Sequence, residues 1–128
     1  MTIDPQAGPP TLPPGAAPER TASGLEYFEL EAGDGAVVET GFRVRVHYYG
    51  WLTDGTLFGQ THGADPLEYT TGDEEVIAAL EEGVVGMKVG GRRRLIAPSD
   101  LAYGPQGHEP AIPPYATLIF DVTLEAAK

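Results

Sequence analysis

The 128-residue sequence contains neither cysteine nor asparagine. The first absence excludes disulfides and thiolate chemistry, and the second excludes N-glycosylation, which needs an asparagine acceptor. Positive charge is also scarce, because 8 lysines and arginines stand against 19 acidic residues and leave a net charge of −11. This balance argues against nucleic acids and anionic membranes as partners, since both require basic surfaces.

Long apolar runs and a leader sequence are missing as well. No run approaches the roughly 18 residues of a membrane span, and the N-terminus has no signal-peptide pattern, so we expect a cytoplasmic protein. The length fits one domain. Residues 1–22 hold six of the 12 prolines and few large apolar side chains. They are therefore predicted to be a disordered, proline-rich tail before a folded domain at 23–128.

Side chains that usually perform catalysis are few and scattered. The histidines, His47, His62 and His108, show no ligand spacing, so no metal site is expected. Neither serine lies in the strand–turn–helix elbow of a nucleophile. The glutamates between 74 and 82 are predicted to form the solvated face of a helix, and residues 92–94, all arginine, a solvated strand. The pattern predicts neither a metal site nor a nucleophilic triad.

Apolar and polar residues alternate in several segments, which predicts an antiparallel sheet of about five strands. The clearest strands are residues 42–48 and 116–124, and the second places four apolar residues on one face, Leu118, Phe120, Val122 and Leu124. One helix is predicted at 71–82, with Thr71 or Asp73 as its N-cap. The predicted fold is therefore α+β, a twisted antiparallel sheet curled around one short helix.

The segment 101–115 is rich in proline and glycine but also carries aromatic side chains. Proline stiffens the backbone and excludes a helix interior or a central strand. A stiff apolar loop that leads into a core strand can form one wall of a pocket. Tyr103 lies in this loop, where a tyrosine hydroxyl needs a hydrogen-bond partner or faces a cleft.

Three stretches resemble the FKBP-type peptidyl-prolyl cis-trans isomerases of the immunophilin family. They are VHYYGWLTDGTLF (46–58), EEVIAALEEGVVGMKVGGRRRLIAP (74–98) and AYGPQGHEPAIPPYATLIFDVTL (102–124). The resemblance covers about residues 25–124. It implies the FKBP-like fold and an isomerase that rotates X–Pro bonds in protein chains, assists folding and needs no cofactor.

The resemblance also implies the partners. These are proline-containing polypeptides, with macrolides of the tacrolimus and rapamycin type as candidate ligands, and we expect a monomer. One alternative is an FKBP-like module that binds proline-containing peptides with weak or no turnover. Another makes the tail functional, with its own X–Pro bonds occupying the cleft of a neighbouring molecule.

The pocket residues follow from the resemblance, position by position. Those expected to be catalytic are Tyr48, Phe58, Ile77, Tyr103 and Phe120. Those expected to bind substrate are Leu67, Glu75, Val76, Leu80, His108 and Ile112. Three aromatic rings would hold the proline ring, while a backbone N–H at position 77 and the hydroxyl at position 103 would donate to substrate carbonyls.

The sequence departs from the family pattern at several pocket positions. Gly59 replaces a frequent aspartate, and the loop 59–66 lacks the arginine that often pairs with it. Leu80 replaces a tryptophan that often forms the pocket floor. Leu67 and Ala111 replace bulkier apolar residues. These departures concern catalytic efficiency and macrolide affinity rather than the fold.

Overall fold

The computed structural model describes residues 7–12, 15–61, 65–108 and 111–128. Its strands are β1 (Glu19–Arg20), β2 (Glu26–Glu31), β3 (Arg43–Leu52), β4 (Leu57–Gln60), β5 (Leu67–Thr70), β6 (Arg92–Ala97) and β7 (Leu118–Ala127), and its helix is α1 (Ala78–Gly83). Two 3₁₀ turns, Ser99–Leu101 and Gly104–Gln106, precede β7. The strands form one antiparallel sheet in the order β1-β2-β6-β7-β3-β4, and β5 also pairs with β3. The predicted fold class is confirmed, although the described residues form seven strands rather than about five.

Strand β3 organises the region that carries the site. One edge of β3 pairs with β7 along its whole length, while the other edge is shared between two strands. Its first half pairs with β5 and its second half with β4. The chain therefore leaves β4 at Thr61, beside Tyr48, and the Thr61 N–H donates to the Tyr48 carbonyl at 3.1 Å.

The core lies between one face of the sheet and α1. The four residues predicted to face inward on β7 are at most 2% exposed, namely Leu118, Phe120, Val122 and Leu124. They pack in one cluster with side chains of β3, β6 and the helical segment, among them Val46, Leu95, Ala79 and Val84. The register predicted for β7 is confirmed.

The helix is shorter than predicted, since it begins at Ala78 rather than at residue 71. Two residues before it have positive φ, Gly72 at 91° and Glu74 at 57°, and this left-handed conformation is incompatible with a right-handed helix. The prediction that Thr71 or Asp73 caps the helix is wrong, because Ile77 is the N-cap and contributes no side-chain bond. None of the described helices is long and apolar enough to cross a membrane.

Part of the predicted tail carries structure. Strand β1 lies within residues 1–22 and pairs with Glu26 and Tyr27 of β2. Further toward the N-terminus, Gly8 is buried, and a Cβ built on it would lie 3.4 Å from the Cα of Gly55 at the β3–β4 turn. A two-residue strand is too short to produce an apolar alternation, so no local pattern predicts it. For the other residues of this segment, the predicted disorder stays a prediction.

The prediction of a solvated strand is wrong for two of the three arginines of β6, because Arg93 and Arg94 are each 6% exposed. Strand β6 lies between β2 and β7, so both side chains find acceptors inside the protein. Arg94 forms a bidentate ion pair with Asp121, at 2.6 and 2.9 Å. Arg93 donates to the Gly83 carbonyl at 3.0 Å, and its guanidinium lies 4.2 Å from the centre of the Tyr27 ring.

Trp51, the only tryptophan in the sequence, is completely buried. Its ring stacks on Tyr49 with centroids 5.7 Å apart and an interplanar angle of 25°. Side chains alternate along β3, so Trp51 lies on the opposite face of the sheet from Tyr48. It is also outside the main core cluster.

Tyr69 ties β5 to the helix and gives stability a dependence on alkaline pH. It is fully buried, and its hydroxyl donates to the Leu80 carbonyl at 2.8 Å. Burial first, and then the charge of Glu81, raise the pKa of Tyr69 well above its ordinary value. The folded state therefore keeps this proton at a pH where the unfolded state releases it. The free energy of unfolding should be unaffected below about pH 10 and should fall above it.

Urea unfolding of the wild type and of Tyr69→Phe between pH 8 and 11 tests this expectation. We expect the variant to be less stable at pH 8 by about 1 kcal/mol, the usual net contribution of one hydrogen bond. We also expect it to lose less stability than the wild type above pH 10. A stability difference that stays constant over the whole range would show that Tyr69 does not cause the fall.

Candidate active site

Three aromatic rings from three strands form one wall of the site. The ring centroid of Phe120 lies 5.8 Å from that of Tyr48 and 5.6 Å from that of Phe58, in edge-on arrangements with interplanar angles of 69° and 89°. The rings meet because β3 pairs with β7 on one side and β4 on the other. Gly50 lies opposite Phe120, and a Cβ built on it would lie only 2.5 Å from Cζ of Phe58. This glycine therefore leaves the space that the Phe58 ring fills.

An open pocket of about 440 Å³ lies beside this wall. Seven residues line it: Tyr48, Leu67, Glu75, Val76, Ile77, Leu80 and Tyr103. All seven belong to the set of site residues expected from the sequence. They come from β3, β5, α1, the loop before α1 and the loop between β6 and β7, so the pocket exists only in the folded sheet.

Ile77 presents a hydrogen-bond donor at the pocket. It is the N-cap of α1, with extended backbone angles, φ −60° and ψ 153°. Its carbonyl accepts from the N–H groups of Leu80 and Glu81, at 3.0 and 3.1 Å. Within the part of the chain that the structure describes, its own N–H makes no hydrogen bond. The first N–H groups of a helix have no partner within the helix, so this one is available to a ligand carbonyl.

Glu75 lines the same pocket, but its carboxylate is engaged elsewhere. One oxygen accepts from the Thr70 N–H at 2.6 Å and pairs with Arg43 at 3.2 Å. The side chain is therefore held against β3 and β5. This leaves the backbone carbonyl of Glu75, the group that the family resemblance implies, as the expected contact with a ligand.

Two tyrosine hydroxyls belong to the pocket. Tyr48 is half-buried, and its pKa is raised above the ordinary value, first by burial and then by the nearby Tyr103. Ionisation of the Tyr48 hydroxyl is therefore less favourable than that of an exposed tyrosine. The Tyr103 side chain is 36% exposed, which places it at the open side of the pocket, where a substrate would enter.

The loop after Tyr103 flanks the pocket rather than lining it. The His108 ring lies 5.3 Å from the Tyr103 ring. His108 and Ile112 exchange two backbone hydrogen bonds, at 2.8 and 2.9 Å, and the Ile112 side chain is 3% exposed. The Tyr115 N–H donates to the Gly104 carbonyl at 3.0 Å. These bonds hold His108 against Ile112, and neither residue is part of the pocket lining.

The family departure at Gly59 has a clear geometry. A Cβ built on Gly59 would lie 3.8 Å from the hydroxyl oxygen of Tyr48. A carboxylate at this position would thus be within reach of that hydroxyl.

Residues 62–64 of the following loop, including the candidate ligand His62, lie outside the described residues. No group of three or more potential ligands in the described ranges is arranged to hold a metal ion.

Sequence reasoning missed Thr61, which supports the Tyr48 wall. Its hydroxyl accepts from the Tyr48 N–H at 2.9 Å and contacts Nδ1 of His47 at 2.8 Å. Nε2 of His47 in turn lies 2.6 Å from a carboxylate oxygen of Glu125. Thr61 follows a short strand and carries no periodic signal, so only the pairing of β3 with β4 identifies its role.

Comparisons with known proteins agree with this geometry. The family model of the FKBP-type peptidyl-prolyl cis-trans isomerases matches residues 34–125. FK506-binding protein 4 of Dictyostelium discoideum is 49% identical over 102 residues, which cover 80% of this chain but 28% of that protein. Peptidyl-prolyl cis-trans isomerase Fkbp12 of Drosophila melanogaster is 43% identical over 103 residues, which cover 79% of this chain and 95% of that protein.

A solved structure supports the same comparison. FkpA from Escherichia coli superposes with a TM-score of 0.78 at 38% sequence identity, covering 87% of this chain and 51% of that chain. The match therefore extends over most of the sheet and the site, while the larger relatives contain further regions that this chain does not match.

Proposed function

The chain belongs to the FKBP-type peptidyl-prolyl cis-trans isomerase family, and from that premise we propose that it rotates X–Pro peptide bonds in protein chains and so assists their folding. The observation that carries the proposal is the juxtaposition of an aromatic wall with two donors at one pocket. The wall is formed by Tyr48, Phe58 and Phe120. The donors are the Ile77 N–H and the Tyr103 hydroxyl.

The reaction requires no bond to a heavy atom to break. Resonance sets the barrier to rotation at roughly 18–20 kcal/mol. The planar amide is more dipolar than the twisted amide, so an apolar pocket raises the energy of the planar form relative to the twisted form. Fixed donors then stabilise the carbonyl as it turns. A thousandfold acceleration requires only about 4 kcal/mol.

Each residue of the aromatic wall and of the pocket lining has a role in this proposal. The three rings hold the proline ring, with Leu67, Val76 and Leu80 completing the apolar surface. The Tyr103 hydroxyl donates to the carbonyl that precedes proline. The Ile77 N–H donates to another substrate carbonyl, and the backbone carbonyl of Glu75 accepts from the substrate.

A protease-coupled assay on a short proline peptide tests the proposal. The protease cleaves only the trans peptide, so an isomerase accelerates the slow phase of cleavage. We expect the acceleration to grow linearly with protein concentration and to be inhibited by a proline-mimicking macrolide. Peptide binding without acceleration would contradict catalysis and identify a binding module instead.

The cytoplasmic location and the monomeric state are proposals as well. Cell fractionation tests the first, and light scattering at several concentrations tests the second. Activity of the full chain compared with a chain lacking residues 1–18 tests whether the proline-rich segment occupies a neighbouring cleft. That truncation leaves β1 intact.

Replacing Tyr103 with phenylalanine is expected to lower kcat/KM about fivefold, since one hydrogen bond contributes about 1 kcal/mol. Tyr115→Phe is the matched control, because Tyr115 lies in the same loop and is 71% exposed.

Gly59→Asp should raise kcat/KM by less than Tyr103→Phe lowers it. An added carboxylate reaches the Tyr48 hydroxyl, but the loop lacks an obvious arginine partner, so desolvation offsets much of the gain.

All three variants are to be measured on one peptide, with folding checked by circular dichroism. A folded and fully active Tyr103→Phe protein would refute the donor role. Pocket shape and desolvation would then account for the rate.

A further inference from the structure

The loop of residues 71–77, here called the 71–77 loop, connects β5 to α1 and carries the Ile77 donor. It is held by a side chain from the first turn of the helix. One carboxylate oxygen of Glu81 accepts from the Gly72 N–H at 2.5 Å, and the other accepts from the Glu75 N–H at 3.0 Å. The sequence predicted a solvated Glu81, and the structure shows instead that it bridges two backbone groups of the loop.

The 71–77 loop needs such support because its backbone is unusual. Gly72 has φ of 91°, which suits glycine, whereas Glu74 has φ of 57°. A left-handed residue other than glycine costs roughly 1–2 kcal/mol. Both hydrogen bonds to the Glu81 carboxylate are charge-assisted. Their donors, Gly72 and Glu75, flank Glu74 in the sequence. They stabilise the conformation that the strain opposes.

Glu81 is also connected to the donor itself. The Glu81 N–H donates to the Ile77 carbonyl at 3.1 Å, while its carboxylate holds the Glu75 N–H, two residues before Ile77. The peptide that presents the Ile77 N–H thus lies between two attachments to one residue. Without the bond from Glu75 to the Glu81 carboxylate, only the hydrogen bonds of the helix to the Ile77 carbonyl would orient the Ile77 N–H.

We propose that Glu81 is a positioning residue that sets the direction of the Ile77 N–H toward the substrate carbonyl. The inference rests on the proposed function, because it assigns a task to a donor of that site. It does not require Glu81 to touch the substrate. Its effect is therefore expected on substrate binding, with little effect on turnover of bound substrate.

The test compares Glu81→Gln with Glu82→Gln. The two glutamates are neighbours on α1 and each substitution removes one negative charge, but the Glu82 carboxylate accepts from Ser23 at 2.5 Å and makes no bond to the 71–77 loop. Glutamine keeps one acceptor oxygen and replaces the other with an NH₂ donor. In Glu81→Gln one loop N–H therefore loses its acceptor and faces a donor.

In the Glu81→Gln protein we expect KM for the proline peptide to rise about fivefold to tenfold with kcat changed less than about twofold. Amide hydrogen exchange at Gly72 and Glu75 should accelerate in the same protein. The Glu82→Gln protein should match the wild type in both measurements. An equal rise in KM for the two variants, or a fall in kcat at constant KM for Glu81→Gln, would overturn the proposal.

Two further measurements keep the test decisive. If Glu81→Gln fails to fold, scalar couplings across the hydrogen bonds are measured in the unaltered protein. Absence of coupling from the Gly72 and Glu75 nitrogens to the Glu81 carboxylate carbon overturns the proposal. If the unaltered chain binds the peptide without turnover, the same comparison is made on Kd, so that failure of the proposed function is separated from failure of this inference.

Discussion

Replacing Phe120 with alanine is expected to lower the free energy of unfolding by about 3–5 kcal/mol, the usual cost of truncating a buried phenylalanine. Phe120 is 2% exposed and lies near the start of β7. Its ring contacts both Tyr48 and Phe58 edge-on, so its loss also leaves the aromatic wall of the pocket without its centre. We expect the molecules that remain folded to lose most of their isomerase activity.

Phe120→Leu separates the two effects. Leucine restores most of the buried volume, so this variant should recover much of the stability. It lacks an aromatic face and should recover little of the activity. Urea unfolding gives the stability, and the protease-coupled assay, corrected for the folded fraction, gives the activity. A Phe120→Ala protein with unchanged stability would contradict the burial of this ring.

Replacing Asp121 with alanine is expected to have a comparable effect on stability and almost none on activity. The variant leaves Arg94 buried without a counter-ion, and breaking a buried pair in this way typically costs about 3–5 kcal/mol. The two side chains are 6% and 4% exposed, so water compensates little. Asp121 points to the opposite face of β7 from Phe120, and the pocket should therefore keep its shape.

The double variant Arg94→Met, Asp121→Leu is the control for this second prediction. It replaces both charges with apolar groups of similar size, a change that is often neutral or stabilising. We expect it to regain most of the stability that Asp121→Ala loses. If Asp121→Ala alone costs less than about 1 kcal/mol, the pair behaves as a solvent-exposed ion pair, and its burial contributes nothing measurable.

Alternation predicted the longer strands and the inward face of β7 correctly, because these features depend only on the period of the apolar residues. Every second residue of β7 from Leu118 to Leu124 is buried, as its pattern indicates. The same rule failed for Arg93 and Arg94, because alternation treats a charged residue on a strand as solvated. The pattern of one strand contains no information about its neighbours. Here the neighbouring strand supplies Asp121 to Arg94, and carbonyls at the end of α1 accept hydrogen bonds from Arg93.

The 71–77 loop shows a second limit. The sequence there resembles a capped helix, with a threonine followed three residues later by a glutamate. The positive φ of Glu74 is not encoded by any local signal, since glutamate adopts it rarely. Hydrogen bonds to the Glu81 carboxylate stabilise it, and these bonds require the loop to fold back onto the first turn of α1. The pocket residues were assigned through the family resemblance, and seven of them line one cavity.

The position of Trp51 determines what the intrinsic fluorescence of this protein can report. The only indole of the chain is shielded from water and faces away from the Tyr48 side of the sheet, and the pocket floor holds Leu80. Its emission should therefore be short in wavelength, resist aqueous quenchers and stay constant as a proline peptide binds. A titration of affinity consequently needs a chromophore on the ligand. The same insensitivity makes the red shift on denaturation a measure of unfolding alone, even in saturating ligand.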